Sequence, residues 1–390
     1  MSGNVLYPGS TLGIIAVDHN SSALIAVAKK MGFNVGVYVQ ETHQEFEMMA
    51  DFIIVGSYTD KTKLTEFGEN CDAIIYQTPN IEPRVIKFLS QFASIPQGVN
   101  GLEIVQDRLL ERAFLAEINI NIAPYVTVVG LDDVYQSIDS IGYPALLKPI
   151  QRGLGERSMM IKRQSDIGRA GDFIDTGTYL LESWIDHTAE YTMTASTNGT
   201  SCDIYPLAKL LFNEERRLVS VATPAIVQDD ILTEMQRIVR SVAKSLQYRG
   251  VFSVNFYVTP NGSLYVKNIE LGLTSIANVY DSSANVSQYE QQIRATAGMP
   301  LHTIRSLQTA LFMVVRKKQE AAIQRQWLIK DNWRFRFFSP ANDTDEAVVG
   351  YTWVTGSNDL RVLQQQVDDT EVCQEHVAPS DDPRHDNIQR

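Results

Sequence analysis

Cysteine and histidine carry much of the covalent and metal chemistry in proteins, and here both are dispersed. Cys71, Cys202 and Cys373 lie far apart with no CxxC spacing, which argues against a disulfide framework and against a zinc site. The 6 histidines are scattered, no two of them at i, i+4. The 46 acidic residues outnumber the 34 basic ones, for a net charge of −12. That balance disfavours a general nucleic-acid binder, since phosphate contacts need clustered Lys and Arg. It says little about a small-molecule pocket, which can be locally positive. Asn255 (FSVNFY) and Asn268 (VKNIEL) sit in two strand-like runs joined by the turn Pro260-Asn261-Gly262, the composition of a hairpin. Glu270 lies two residues beyond Asn268, on the same face of the same strand.

The elements that must position these residues follow from the apolar pattern. At 390 residues the chain predicts two or three domains, and 44% hydrophobic with 21% charged residues is ordinary for a globular protein. Apolar runs such as Leu12 to Val17 fall far short of the roughly 20 residues of a membrane span. Met1 to Ser10 has no secretory pattern, so a cytoplasmic location is expected. Thr11 to Val17, Asn34 to Val39, Phe52 to Val55 and Asp72 to Tyr76 read as strands alternating with helices such as Ser22 to Met31. This predicts a doubly wound α/β domain on a parallel sheet. Asp107 to Asn119 reads as a helix. From Pro124 to about Leu301 the pattern becomes α+β, with strands at Ala145–Lys148, Tyr179–Glu182, Tyr191–Ser196, Phe252–Val258 and Leu264–Ile269, and an amphipathic helix from about Ile231 to Leu246. Strand-like runs at Leu311–Val315 and Val348–Val354 follow, and a polar tail closes the chain.

Several ordered segments carry a family likeness: TLGII at Thr11–Ile15, ALIAVAKKMGF at Ala23–Phe33, ADFIIVGSYTD at Ala50–Asp60, IPQG at Ile95–Gly98, QDRLLERAFL at Gln106–Leu115, PALLKP at Pro144–Pro149 and SQYEQQIRATAGMPL at Ser287–Leu301. Through them the chain resembles the carboxyaminoimidazole ribonucleotide synthetases of the ATP-grasp superfamily. The resemblance implies an N-terminal α/β domain over residues 1–116, a central α+β ATP-grasp domain over 117–302, a small β-rich C-terminal domain over 303–377 and a tail over 378–390. It further implies a homodimer, ATP as the nucleotide, and a reaction in which ATP phosphorylates bicarbonate and the carboxylate passes to an amine on a ribonucleotide.

The site residues implied by the resemblance are partly kept. Lys148 would reach the α and β phosphates, the run Leu180 to Ile185 would read adenine with Glu182 and Ile185, Glu190 would contact ribose, and Arg108 would lie near the nucleotide. The glycine-rich phosphate loop becomes Gln151 to Ser158, where Arg152 or Arg157 stands in for a missing Lys. The two magnesium-bridging glutamates become Asn255 and Asn268, a loss of about two charges that makes magnesium doubtful, with Glu270 as the one acid able to reach a displaced metal. Around the substrate, a glycine-rich loop becomes Ala16 to Ser22, bringing Asp18 and His19. The acidic YEFEN motif becomes Tyr76 to Asn80. An Arg-Pro-His-Asn-Ser-Gly-His loop becomes Gly272 to Asn278, including Ser275 and Asn278. An Arg-Lys pair becomes Ala347-Val348. The expectation is a diverged paralogue, a pseudoenzyme that binds a nucleotide or another metabolite in a polar, weakly cationic pocket. The alternatives are an ATP-dependent carboxylate–amine ligase with another substrate, the purine-pathway enzyme itself, and a purely structural partner.

Overall fold

A computed structural model describes residues 5–41, 44–152, 158–174, 177–213, 217–338, 344–356, 359–370 and 372. Arg157, Cys373 and the polar tail fall outside them.

The first sheet is parallel, built from β1 (Thr11–Ile15), β2 (Asn34–Val39), β3 (Phe52–Val55) and β4 (Ala73–Tyr76) in the order β3-β2-β1-β4. Strands β1, β2 and β4 are apolar on both faces because helices cover both sides: Leu12, Ile14, Val35, Val37, Ile74 and Ile75 are all buried. The strand order reverses at β1, so the crevice beyond the carboxyl ends of β1 and β4 is the natural ligand position of such a sheet. The helix Ser21–Lys30 starts at that crevice, and Gly32, at φ +88°, lets the chain turn back into β2.

The second sheet is antiparallel: β5 (Tyr125–Val128), β6 (Ala145–Pro149), β7 (Met159–Ile161) and β8 (Tyr179–Ser183), ordered β5-β8-β6-β7. The third has nine strands. They are β9 (Ala189–Thr197), β10 (Cys202–Ile204), β11 (Ala208–Phe212), β12 (Leu218–Thr223), β13 (Gly250–Val258), β14 (Leu264–Leu271), β15 (Ala310–Arg316), β16 (Trp333–Phe337) and β17 (Val348–Thr355). The order is β14-β13-β9-β11-β12-β15-β17-β16, with β10 beside β9. The segments read as central and C-terminal thus share one hydrogen-bonded sheet through β12 and β15, with Ser220 opposite Met313. The amphipathic helix runs Asp229–Ser245 and buries Met235, Ile238, Val239 and Val242, a spacing that brings one face to the sheet. Asp229 and Asp230 in its first turn suit the positive end of the helix dipole. Among the described residues, no helix is long and apolar enough to cross a membrane.

Two junctions fix the sites. The helix Arg108–Glu117 crosses the open edge of β14, where Glu111 accepts from the Ile269 N–H at 2.7 Å. The hairpin β13–β14 carries a β-bulge: Asn255 opposes Asn268, yet Phe256 opposes Val266, so Lys267 is the extra residue.

Candidate nucleotide and substrate sites

Between the second sheet and the β13–β14 hairpin lies a narrow cleft lined by Leu146, Lys148, Glu182, Ile185, Tyr257 and Lys267. Its charged floor is an ion network. Lys148 Nζ meets Glu182 Oε2 at 2.8 Å, and Arg112 donates Nε to Glu182 Oε1 at 2.9 Å. Arg112 also gives Nη2 to the Lys267 carbonyl at 2.9 Å. Glu182 is 4% exposed. Burial pushes its carboxyl up, but the ammonium and the guanidinium outweigh that and hold it below the usual carboxylate range. On the far side Glu190 accepts from Lys267 at 2.8 Å and stands 3.2 Å from His187 Nε2. His187 sits 4.3 Å from the Tyr257 ring centre, and its Nδ1 lies 2.7 Å from the Ile185 carbonyl. The free space enclosed here is about 20 Å³, the scale of a single water. A nucleotide enters only when these side chains swing aside or the sheets part.

Lys148, Glu182 and Ile185 therefore line one cleft, and Glu190 is joined to it through Lys267. Arg108 lies apart from its lining and bonds backbone, giving Nη1 to the Pro149 carbonyl at 2.7 Å. Arg152 gives Nη2 to Glu111 at 2.7 Å and Nη1 to the Ile269 carbonyl at 3.3 Å, which ties the start of the glycine loop to the edge of β14. Arg112 was not singled out in the sequence. It is one of several charges on a helix, and its partner Glu182 is 70 positions away.

The position expected to hold metal does not fit magnesium. Asn255 Nδ2 donates to Glu270 Oε1 at 3.0 Å and to Asn268 Oδ1 at 3.2 Å, and Asn268 Nδ2 reaches the same Glu270 oxygen at 3.4 Å. The single carboxylate already faces two amide donors, which a metal would have to displace. Magnesium requires hard oxygen ligands in near-octahedral order and dehydrates reluctantly. Among the described residues, no group of three or more His, Cys, Asp or Glu could hold a metal ion.

At the substrate crevice the chain fills its own space. Asp18 Oδ1 accepts from the Asn20 N–H at 2.8 Å, and burial pushes its carboxyl up against the pull of His19 and Asn20. His19 stacks on Phe338 with centroids 5.1 Å apart, and its Nε2 lies 3.2 Å from Ser275 Oγ. Asn278 is fully buried. It donates to Asn20 and accepts from Gln288 and Tyr289, which makes it a tie between segments with its hydrogen bonds already made. Tyr76, expected in the pocket, is wholly buried in the core beneath it, since strand alternation turns it away from Gln77. Gln77 is buried, and its side-chain amide is directed at the Asp18 carboxylate.

The pocket, expected to be polar and less cationic than the family's, holds a guanidinium that the sequence reading did not name. Arg336 on β16, opposite Tyr351 of β17, gives Nη2 to Ser22 Oγ at 2.6 Å and to the His19 carbonyl at 3.1 Å. A guanidinium therefore stands over the N-terminus of the helix Ser21–Lys30, although Ala347-Val348 is apolar. Nothing in the sequence marked Arg336, because 314 positions separate it from Ser22. Asp281 faces the same guanidinium, and burial pushes its carboxyl up to about 7 against that pull. An unfolded Asp titrates near 3.9. The stability this group confers is complete below that value and is lost as pH rises through about 7. Urea denaturation should therefore find Asp281→Asn gaining on the parent between pH 4 and 8, by up to about 4 kcal/mol.

Gly272 stands where the resemblance places an arginine. At φ +83° its missing Cβ would lie 2.7 Å from the Gln77 carbonyl oxygen, so the ends of β14 and β4 meet backbone to backbone. Gly272→Arg should thus destabilise the fold by at least about 2 kcal/mol, from left-handed strain and a clash that backbone cannot easily relieve. An unchanged urea midpoint would contradict this contact.

Residues 113–271 match the ATP-grasp domain family. The chain is 25% identical over 370 residues to an N5-carboxyaminoimidazole ribonucleotide synthase of Staphylococcus aureus, covering 94% of this chain and 98% of that protein. In fold it is similar to a crystal structure of the N5-carboxyaminoimidazole synthetase from Staphylococcus aureus, with a TM-score of 0.88 and 24% identity over 95% of this chain and 99% of the other. A second similar structure is the Aspergillus clavatus enzyme in complex with ADP and 5-aminoimidazole ribonucleotide, with a TM-score of 0.85 and 16% identity over 94% and 98% of the two chains. The chain thus carries an ATP-grasp domain in an ATP-grasp fold. Across nearly its whole length it is homologous to the N5-carboxyaminoimidazole ribonucleotide synthetases, an ATP-grasp ligase family.

Proposed function

We propose that this chain is an adenine-nucleotide-binding ATP-grasp protein that has diverged from ribonucleotide carboxylation. The observation that carries the reading is the closed cluster of Asn255, Asn268 and Glu270, where amide donors face the one carboxylate. Lys148, Glu182, Ile185 and Glu190 supply the nucleotide side. In this reading Lys148 takes a phosphate, the β8 end takes adenine, and Glu190 takes the ribose hydroxyls. Divergence on the substrate side is supported by His19 stacked into the crevice and by Gly272 closed against Gln77. The crevice then favours a small polar ligand that combines a group for the Asp18 carboxylate with an anionic group for Arg336.

A second reading has its own support. Collinear homology to N5-carboxyaminoimidazole ribonucleotide synthases over 94% of the chain, together with the Arg336 guanidinium at the crevice, favours the purine-pathway ligase itself. Release of ADP from ATP, measured with bicarbonate and 5-aminoimidazole ribonucleotide together and with each omitted, separates the two. Dependence on both co-substrates would establish the second reading and end the first.

A further inference from the structure

We propose that a nucleotide in this cleft has its phosphates neutralised by the ammonium of Lys267 in place of a metal ion, so that binding requires no magnesium. This rests on the nucleotide reading above and gives that site its counter-charge.

The first support is the bulge. In a straight strand Lys267 would point to the opposite face from Asn268 and Glu270. Burial along β14 records the change of phase: Val266, Ile269 and Leu271 are all in the core, while Lys267, Asn268 and Glu270 lie on the other face. The extra residue opposite the Asn255–Phe256 step is what re-aims the side chain, a recurrent use of bulges beside functional sites. The bulge therefore sets Lys267 directly beside Asn268 in the chain, at the cluster that lacks carboxylates for a metal, with its ammonium directed to Glu190 and Tyr257.

The second support is how Lys267 is held. Its backbone is fixed by Arg112 through the carbonyl at 2.9 Å. Its ammonium lies 2.8 Å from Glu190 and within 5.4 and 5.5 Å of the Tyr257 and Phe212 ring centres. The side chain remains 34% exposed. It shares the cleft lining with Lys148, so the two ammonium groups flank one space. A phosphate entering there exchanges one oxyanion partner of Lys267 for another, and Glu190 keeps His187 beside it at 3.2 Å. Ammonium-to-phosphate contacts are charge-assisted and strengthen where water is excluded.

The test is calorimetric titration of the full chain with ADP, in EDTA and in millimolar magnesium, with adenosine as the phosphate-free control. The affinities for ADP in the two media should agree within about threefold. Lys267→Met should weaken ADP at least tenfold while leaving adenosine unchanged, and Lys267→Arg should restore most of the loss. Tightening by magnesium of more than tenfold, or a Lys267→Met chain that binds ADP like the parent, overturns the proposal while the nucleotide reading stands. Absence of both ADP and adenosine binding by the parent chain overturns the nucleotide reading and the proposal with it.

Discussion

Supplied with ATP, bicarbonate and 5-aminoimidazole ribonucleotide, the chain should release ADP at a rate at least about 10³-fold below that of a ligase with a carboxylate-held metal. Phosphoryl transfer is catalysed almost entirely by positioning and by neutralising charge on the transferred group. Here the would-be metal position holds two amides turned toward a single acid, so the charge that develops has no divalent partner fixed by the protein. A 10³-fold deficit corresponds to about 4 kcal/mol of transition-state stabilisation, which is within what one lost electrostatic element costs. Asn255→Glu combined with Asn268→Glu should create magnesium-dependent ADP binding, read by calorimetry, because two facing carboxylates would then converge with Glu270. It should not restore carboxylation, since Gly272 still stands where the family has an arginine and leaves no room for a side chain beside Gln77. Bicarbonate-dependent turnover by the parent chain would sink this account.

The second large effect concerns stability. Glu182 is the hinge of the buried network, with Arg112 on one oxygen and Lys148 on the other. Glu182→Ala takes the shared carboxylate from Lys148 and leaves Arg112 with Glu111 at 3.4 Å and the Lys267 carbonyl. Breaking a buried pair in this way costs about 3–5 kcal/mol. The urea midpoint should fall accordingly, whereas Glu182→Gln should lose less because its carbonyl still accepts from Arg112. The pH dependence has a definite sign. A carboxyl held below its ordinary range contributes stability that is present above the unfolded value and lost as pH falls through the folded one. The gap between parent and Glu182→Ala should therefore shrink in acid. A gap that stays constant to pH 2 would mean that packing, rather than charge, is what Glu182 supplies.

Much of the scaffold was legible because its cause is local. Apolar runs bounded by polar turns predicted β1 to β4, of which Asn34–Val39 and Phe52–Val55 coincide with the strands found. Pro260-Asn261-Gly262 predicted the β13–β14 hairpin, and Gly262 takes the positive φ of +82° that its turn needs. The strands β7, β10, β11, β12 and β16 were not read. β7 and β10 are only three residues long, and β11 and β12 lack clean alternation, so pairing with distant neighbours supplies what local pattern does not. β16 (WRFRF) does alternate and was overlooked. The shared sheet of β12 and β15 was likewise invisible, because register between segments some 90 positions apart leaves no local trace.

The sites divide the same way. Residue identity alone determined that Asn255 and Asn268 cannot supply carboxylates, and strand periodicity alone placed Glu270 beside Asn268. Everything that depends on distant segments meeting was decided by the tertiary structure. A bulge turned Lys267 into the cleft beside Lys148, a helix crossing the edge of β14 joined Arg112 to Glu182, and the pairing of β16 with β17 carried Arg336 to the helix N-terminus at Ser22. Periodicity describes one element at a time, whereas charge pairing in a cleft is set by which elements the folded core brings into contact.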